Sequence, residues 1–403
     1  FLFIDKKSYS ILFKNINTSY VNLQIKSTFK YTIPDKKIQS FFNCDYDRLE
    51  EFNLKKPNLS QLRQSARLII NSFIEWEKKV KPEILLCEGP NNFFNRVIID
   101  YLKSQNKDYY SFCMGRISGS TCLKKNNKII FNKEINKYIS HKKEYMKKSY
   151  PKMRNIYGKM KNFKGTSLYK DLKVIFRNFN LIKKEDLLLP YSGNRIDWLI
   201  RTRMLFLKKS ILNFFILRLK QKNLKDNLYF IYPEHYHPES GNSAHENKFI
   251  DDIKNCIYIK EMIETPLVFR FHPAYFTKRP ILQLIKVLKI FKQDISMPNQ
   301  SLDQLISNSI GTITVSSSVA IDSMRLGKPV IILGNPEFVI NSELIAENVL
   351  CIQKDNDFTK IKDYIKNFKK LNKNSLDIEL QKIYHPYSYN EGKWLKVIID
   401  LNK

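Results

Sequence analysis

From Pro266 to Phe338, short apolar runs alternate with stretches of helical spacing: PLVFRFHP, a helical spacer, then GTITVSSSVAIDSMRLGKPVIILGNPEF. LVFRF is β-rich and stops at His272-Pro273, ITVS is a second such run ending in three serines, and PVIILG is a third. Val319 to Leu326 carries the helical period, and Gly327 closes it. This rhythm is that of parallel βαβ units. Upstream, LYFIYP predicts the first strand of the same domain, FIDDIKNCIYIKEMIET a helix and SLDQLISNS a short one. Downstream, SELIAENVLCIQ and FTKIKDYIKNFKKL close the sheet and add a helix, and the tail predicts a helix around Trp394. In the N-terminal half, FLFI and YSILF are strand-like and Gln61 to Val80 is an amphipathic helix. KPEILLCEGPNNFFNRVIIDYL then predicts a strand, a Glu88-Gly89-Pro90 turn and a helix from about Asn92. The fold class is α/β with two Rossmann-like domains. The first spans 1–223 and includes a basic helical insertion at 132–223; the second spans 224–385, and a last helix lies within 386–403.

In parallel sheets, ligands bind beyond the carboxyl ends of strands. His272 and Ser316, Ser317 and Ser318 fall at such ends, and their chemistry is anion capture. Serines at a helix start offer hydroxyl and backbone donors to a phosphate, and an imidazole on a neighbouring strand can bind or stabilise the same group. Asp322, one turn further along the face of Ser318, can accept from a ribose diol. The serines taken alone fit a simple helix cap equally well. The loop PEHYHPESGNS holds Glu234, His235, His237 and Glu239. Paired histidines with flanking glutamates raise a metal site, with His245 as a third ligand, but no helical HExxH arrangement exists. We therefore expect no metal and assign Glu234 a catalytic role and His235 a donor-binding one, with Arg270 beside them. In the N-terminal half, Glu88 occupies a strand end, Asn91 follows it, and Arg116 lies among glycine and serines in FCMGRISGS, where it can clamp a carboxylate or rest as a surface arginine.

Charge adds a constraint on partners. Lys and Arg number 69 against 39 acidic residues, a net charge of +30, which directs attention to nucleic acid, anionic lipid and anionic substrates. No nucleic-acid module accompanies the charge, and the basic residues are spread rather than interleaved with a stacking platform, so nucleic acid is set aside. The stretch from Asn132 to Asn223 concentrates the basic residues. KKSYPKMRNIYGKMKNFK suits a membrane surface or an anionic acceptor, whereas IDWLIRTRMLFLKKSILNFFILRLKQK reads either as a membrane-surface helix or as a buried helix with snorkelling lysines. The six cysteines are scattered without metal-type pairing, and Cys87 and Cys351 sit in apolar runs that predict buried thiols, as in a reducing cytoplasm. No secretory signal is visible, and no apolar run approaches the ~18 residues of a membrane span. The first residue is Phe1 rather than Met, so further native residues or a domain are expected before it.

The FHP step and the serine run before a helix resemble the His-Pro and Ser-Ser motifs of bacterial sialyltransferases with the two-Rossmann-domain GT-B fold. AIDSMRLGKPVIILGNPEF is similar to the "EAL-x-x-GKPV-x-x-G" segment of capsule polysaccharide biosynthesis proteins, a group that includes Kdo transferases (Kdo is a 3-deoxy-octulosonic acid). IYPEHYHPESGNS resembles a further motif of the same proteins. The likeness covers the C-terminal half well and the N-terminal half poorly. It implies a GT-B-like fold with a central cleft, a last helix returning to the first domain, and a donor held mostly by the C-terminal domain. It implies a CMP-activated acidic sugar, Kdo or a nonulosonic acid, passed without a metal cofactor to a surface-polysaccharide or lipid-linked glycan. The expected location is cytoplasmic, and the basic stretch makes peripheral contact with the inner face of the cytoplasmic membrane an option. His272 and the serines would stabilise the leaving phosphate, and Glu88 would be the base on the acceptor hydroxyl, although Cys87 stands where the family pattern has a second acidic residue. With a retaining mechanism, Glu88 or Glu234 would be the nucleophile. An Asp-x-Asp occurs at Asp45-Tyr46-Asp47 and at Asp355-Asn356-Asp357, each read as a solvated loop that follows no clear strand. An NDP-hexose transferase of the same fold and a non-catalytic assembly protein are the rival readings.

Overall fold

Strands buried on both faces read as near-continuous apolar runs. The second half of the chain supplies four buried strands, β5 (Phe230–Pro233), β6 (Leu267–Arg270), β8 (Gly311–Thr314) and β9 (Val330–Leu333), with Arg270, Thr312 and Thr314 as their buried polar residues. The computed structural model describes residues 33–42, 57–90, 93–117, 120–131, 228–235, 249, 252–272, 285, 287, 289–291, 295–296, 301–315, 317–353, 355–385, 398 and 401. With β7 (Ile295–Ser296) and β10 (Leu350–Ile352), the four strands form a six-stranded sheet in the order β10-β9-β8-β5-β6-β7. Every pairing in it is parallel. Counted along the chain from β5, this is the 3-2-1-4-5-6 order of a doubly wound sheet, and the order reverses between β5 and β8.

Helices α3 (Asp252–Met262), α4 (Leu302–Ser307) and α5 (Val319–Arg325) cover the sheet's two faces. Alternation along β5 decides which face each residue serves. Phe230 and Tyr232 pack with Cys256 and Ile259 of α3, whereas Tyr229 and Ile231 pack with Leu305 and Ile306 of α4 and Val319 of α5. A buried Ser323–Thr312 hydroxyl bond of 2.8 Å pins α5 to β8. The helix then ends at Gly327, whose φ of +69° is the left-handed geometry that favours glycine.

The sequence places the β8 run at ITVS, but the strand starts earlier, at Gly311. The cause is a close approach: a Cβ at 311 would lie 2.8 Å from the Pro329 carbonyl, and Thr312 donates to that same carbonyl at 3.0 Å. After β9 come α6 (Glu337–Ile340) and α7 (Glu343–Glu347). After β10, a 3₁₀ turn (Asp355–Lys360), α8 (Ile361–Asn367) and α9 (Lys373–Ile383) complete the described chain apart from isolated residues. The Asp355-Asn356-Asp357 step therefore follows a strand closely, contrary to the expectation for it. Its Asp357 carboxylate accepts from the Gln353 N–H at 3.0 Å and from Lys360 at 2.8 Å, a local structural task.

The N-terminal half begins its described core with a short helical segment at 35–42 and a long helix, α1 (Leu59–Val80). α1 starts two residues before the expected Gln61. Asn58 and Gln61 form a reciprocal capping box, each side chain accepting the other's backbone N–H at 2.9 Å. The inner face of α1 (Ile69, Ile70, Phe73) packs with α2 (Phe93–Ser104) through Val97, Tyr101 and Leu102. A four-stranded sheet accompanies them: β1 (Leu86–Glu88), β2 (Tyr110–Met114), β3 (Thr121–Lys125) and β4 (Lys128–Ile129), with β1 parallel to β2 and β3 antiparallel to β4. The chain is thus α/β, with a mixed sheet in the N-terminal half and an all-parallel one in the second half.

The chain divides into two compact units. One holds the described residues through Cys113 and Leu123–Ile130; the other holds Met114–Cys122, Phe131 and the described residues from 228 onward. Residues 1–32, the basic stretch 132–223, the second Asp-x-Asp at 45–47 and the segment around Trp394 lie outside the described residues. Among the described residues no helix is long and apolar enough to cross a membrane. Among the described residues Cys122 and Cys256 are the fully buried thiols, while Cys87 and Cys351 are only half-buried, each in a strand at the edge of its sheet.

Candidate functional site

The switch between β5 and β8 is where a doubly wound sheet leaves room for a ligand beyond its carboxyl edge, because successive connections leave to opposite faces. Glu234 and His235 follow β5, Phe271 and His272 follow β6, and Val315, Ser317 and Ser318 follow β8, so the chain's own strand order gathers them at one edge.

On the β5–β6 side the backbone is tightly held. The Glu234 N–H donates to the Arg270 carbonyl at 2.9 Å, extending the ladder one residue past Pro233. In return, the Glu234 carboxylate accepts the His272 N–H at 2.9 Å. Glu234 is 4% exposed and Arg270 is equally buried. Glu234 thus joins the ends of two adjacent strands, an arrangement the sequence reading had not assigned it.

His235 is fixed by a residue that sequence reasoning passed over. Asp252, at the start of α3, accepts the His235 backbone N–H at 2.9 Å through Oδ2, and its Oδ1 lies 3.2 Å from the imidazole Nδ1. The same Oδ1 accepts the Tyr232 hydroxyl at 2.7 Å, and Asn255 donates to the Tyr232 oxygen at 3.2 Å and to the Phe249 carbonyl at 2.8 Å. Burial, then the neighbouring Asp252 charge, holds the Tyr232 phenol well above its ordinary pKa, so it stays a donor. Asp252 is 2% exposed. An ionised carboxylate can only accept, so the contact with Asp252 is a hydrogen bond when the His235 ring carries a proton on Nδ1. Nε2, also buried, has no hydrogen-bond partner among the described residues. The Asp252 signal in the sequence was faint: an acidic residue in the first turn of a helix usually reads as dipole compensation.

The β8–α5 side is looser. The Ser317 hydroxyl accepts the Val319 N–H at 3.3 Å, whereas Ser318, at the N-cap position, makes no side-chain cap bond. Both serines are half-buried, and Ser316 lies outside the described residues. The Asp322 N–H donates to the Ser318 carbonyl at 3.2 Å, which sets the two one turn apart as the spacing predicts.

The remaining candidates sit elsewhere. Glu88 is the last residue of β1, and Asn91 lies outside the described residues. Arg116 is half-buried and forms an ion pair of 3.2 Å with Glu337 of α6, whose carboxylate also accepts the Tyr384 hydroxyl at 3.3 Å. Among the described residues no cluster of histidine, cysteine or carboxylate side chains could hold a metal ion. His237 and His245 are outside the described residues.

No family model and no characterised protein matches the sequence. Solved structures overlap it at low similarity. One is the Thermosulfurimonas dismutans KpsC β-Kdo 2,7 transferase, with 11% identity over 83% of this chain and 90% of that one and a TM-score of 0.36. Another is the Methanocaldococcus jannaschii UDP-GlcNAc 2-epimerase in complex with UDP-GlcNAc and UDP, with 14% identity over 97% and 94% and a TM-score of 0.32. A third is the S. aureus MnaA–UDP structure, with 10% identity over 92% and 96% and a TM-score of 0.30. The strand order of the chain itself, rather than these overlaps, defines the fold.

Proposed function

We propose that this protein is a glycosyltransferase that takes an acidic sugar, Kdo or a nonulosonic acid, from a CMP-activated donor and passes it to a surface-polysaccharide or lipid-linked glycan. The observation that carries the reading is the convergence of His272, His235, Ser317 and Ser318 on the carboxyl edge at the switch between β5 and β8. The resemblance of FHP, the serine run and the GKPV segment to sialyltransferase and capsule-biosynthesis motifs directs that anion site towards a nucleotide monophosphate. His272 and the serines, with Ser316 and Arg270, would bind the phosphate, and Asp322 the ribose. Glu234, committed to the His272 backbone, would orient the imidazole rather than react. Glu88 would supply the carboxylate near the anomeric carbon, with Asn91 and Arg116 on the acceptor side. The +30 charge suits an anionic donor and contact with a membrane surface.

A thermal-shift panel of CMP, CDP, UDP, GDP and ADP tests this, because a ligand that binds the native state raises its melting temperature. We expect a shift with CMP. A shift with UDP or GDP alone would replace the donor by an NDP-hexose, and no shift with any nucleotide would favour a non-catalytic assembly protein.

A further inference from the structure

We propose that His235 and Asp252 form a proton-delivering pair: Asp252 is the positioning residue, and His235 Nε2 hands a proton to the departing phosphate of the donor. The inference rests on the CMP-sugar reading above and goes beyond it, since it separates binding the phosphate from protonating it. Two imidazoles end neighbouring strands, and in His235 the ring itself is tied to a buried carboxylate. With Nδ1 engaged by Asp252, every proton the ring gains or loses passes through Nε2. That atom is shielded from solvent and has no partner among the described residues. The backbone N–H of His235 is bound to the same carboxylate, so ring and main chain are oriented by one group, and Tyr232 and Asn255 hold that group in place.

The chemistry matches. Departing CMP is a phosphate monoester with a second pKa of about 6, so its oxygen can take up a proton near neutral pH. The donating form is the imidazolium, protonated on both ring nitrogens. As the anomeric carbon–oxygen bond breaks, its electron pair stays on the phosphate oxygen and that oxygen takes the Nε2 proton, leaving a neutral ring protonated on Nδ1. The new bond forms from the acceptor oxygen, whose proton goes to a carboxylate base, and the proton on Nε2 is restored from water that enters the site as CMP leaves. Among the described residues, Asp252 on α3 contacts the ring, and the other titratable groups on the elements that end beside it are Tyr232 and Glu234 on β5 and its end, and Arg270 and His272 at the end of β6.

The protein has six histidines, so ¹⁵N-histidine labelling, with His235→Ala to assign the signal, reads the tautomer directly and without substrate. We expect neutral His235 to be protonated at Nδ1, that signature to be lost in Asp252→Asn, and the Nε2 resonance to move when CMP is added. In a CMP-sugar transfer assay, His235→Ala should lower kcat by about 10²-fold or more with little change in KM or in the CMP thermal shift, and added imidazole should restore part of the loss. If Asp252→Asn does not fold, the tautomer of the unmodified protein and of Tyr232→Phe carries the spectroscopic test. A protein stabilised by CMP whose His235 is protonated at Nε2, or whose Nε2 resonance does not respond, overturns the proposal and leaves the donor reading intact. Full turnover in His235→Ala does the same. A protein that no nucleotide stabilises fails the donor reading and takes the proposal with it.

Discussion

The two sides of the switch point are built differently. Beyond β5 and β6, buried carboxylates of Glu234 and Asp252 accept backbone N–H groups at 2.9 Å and fix the positions of His272 and His235. Beyond β8, three consecutive serines make one of the most conspicuous patterns in the chain, yet Ser318 leaves its cap position unbonded and Ser317 holds the Val319 N–H at a long 3.3 Å. The side that is quiet in the sequence is preorganised, and the side that stands out is adaptable. For a site that must bind a phosphate and then let it go, this division is physically sensible. Charge stabilisation gains most from groups whose orientation is already fixed, whereas hydroxyls can turn to meet a ligand at small cost.

Removing a carboxylate from the rigid side gives the largest expected effect on stability. Glu234→Ala leaves the His272 N–H without its acceptor where β5 and β6 end, and should cost about 2–3 kcal/mol in urea unfolding. A loss under about 0.5 kcal/mol would mean that the strand ends are held by other contacts, and the contrast between the two sides would disappear.

A smaller effect is expected further along the sheet, past the serine side. The Tyr364 hydroxyl accepts the Val330 N–H of β9 at 3.0 Å and donates to the Asn348 carbonyl at 2.9 Å. Burial pushes this phenol up to about 12 and the Cys351 thiol up to about 11. Both acids have folded pKa values raised above their unfolded ones. Their contribution is therefore fully present below about pH 9 for the thiol and pH 10 for the phenol, and is lost as pH climbs through 11 and 12. Tyr364→Phe should cost about 1–2 kcal/mol at neutral pH and flatten the alkaline decline. A decline just as steep in the variant would assign the alkaline sensitivity to other groups.

Much of this architecture was legible because parallel βαβ units leave two strong signals: buried strands that are largely apolar, and connections of one or two helical turns or more. LVFR, VIIL and FIYP stand out on those grounds. What escaped the sequence reading was set by partners rather than by local pattern. Gly311 opens β8 because the Pro329 carbonyl crowds it, and Asn58 starts α1 because Gln61 answers its cap. Arg116, read as a ligand clamp or a surface residue, finds Glu337 221 residues away. Asp252 belongs to the same class. Only the pairing of β5 with the helix that follows it brings the carboxylate to an imidazole 17 residues earlier in the chain.

The smallest expected change is the one that separates the two sides most cleanly. Because the Ser318 side chain makes no cap bond, Ser318→Ala should alter the free energy of unfolding by no more than about 0.5 kcal/mol. A true N-cap serine would cost about 1 kcal/mol, a difference that parallel urea titrations resolve. The same variant should show a reduced CMP-induced rise in melting temperature, since a hydroxyl that is uncommitted in the free protein remains available to a phosphate. A loss near 1 kcal/mol with an unchanged CMP shift would reverse the assignment: Ser318 would then be a structural cap, and anion capture at this edge would fall to the preorganised histidine side alone.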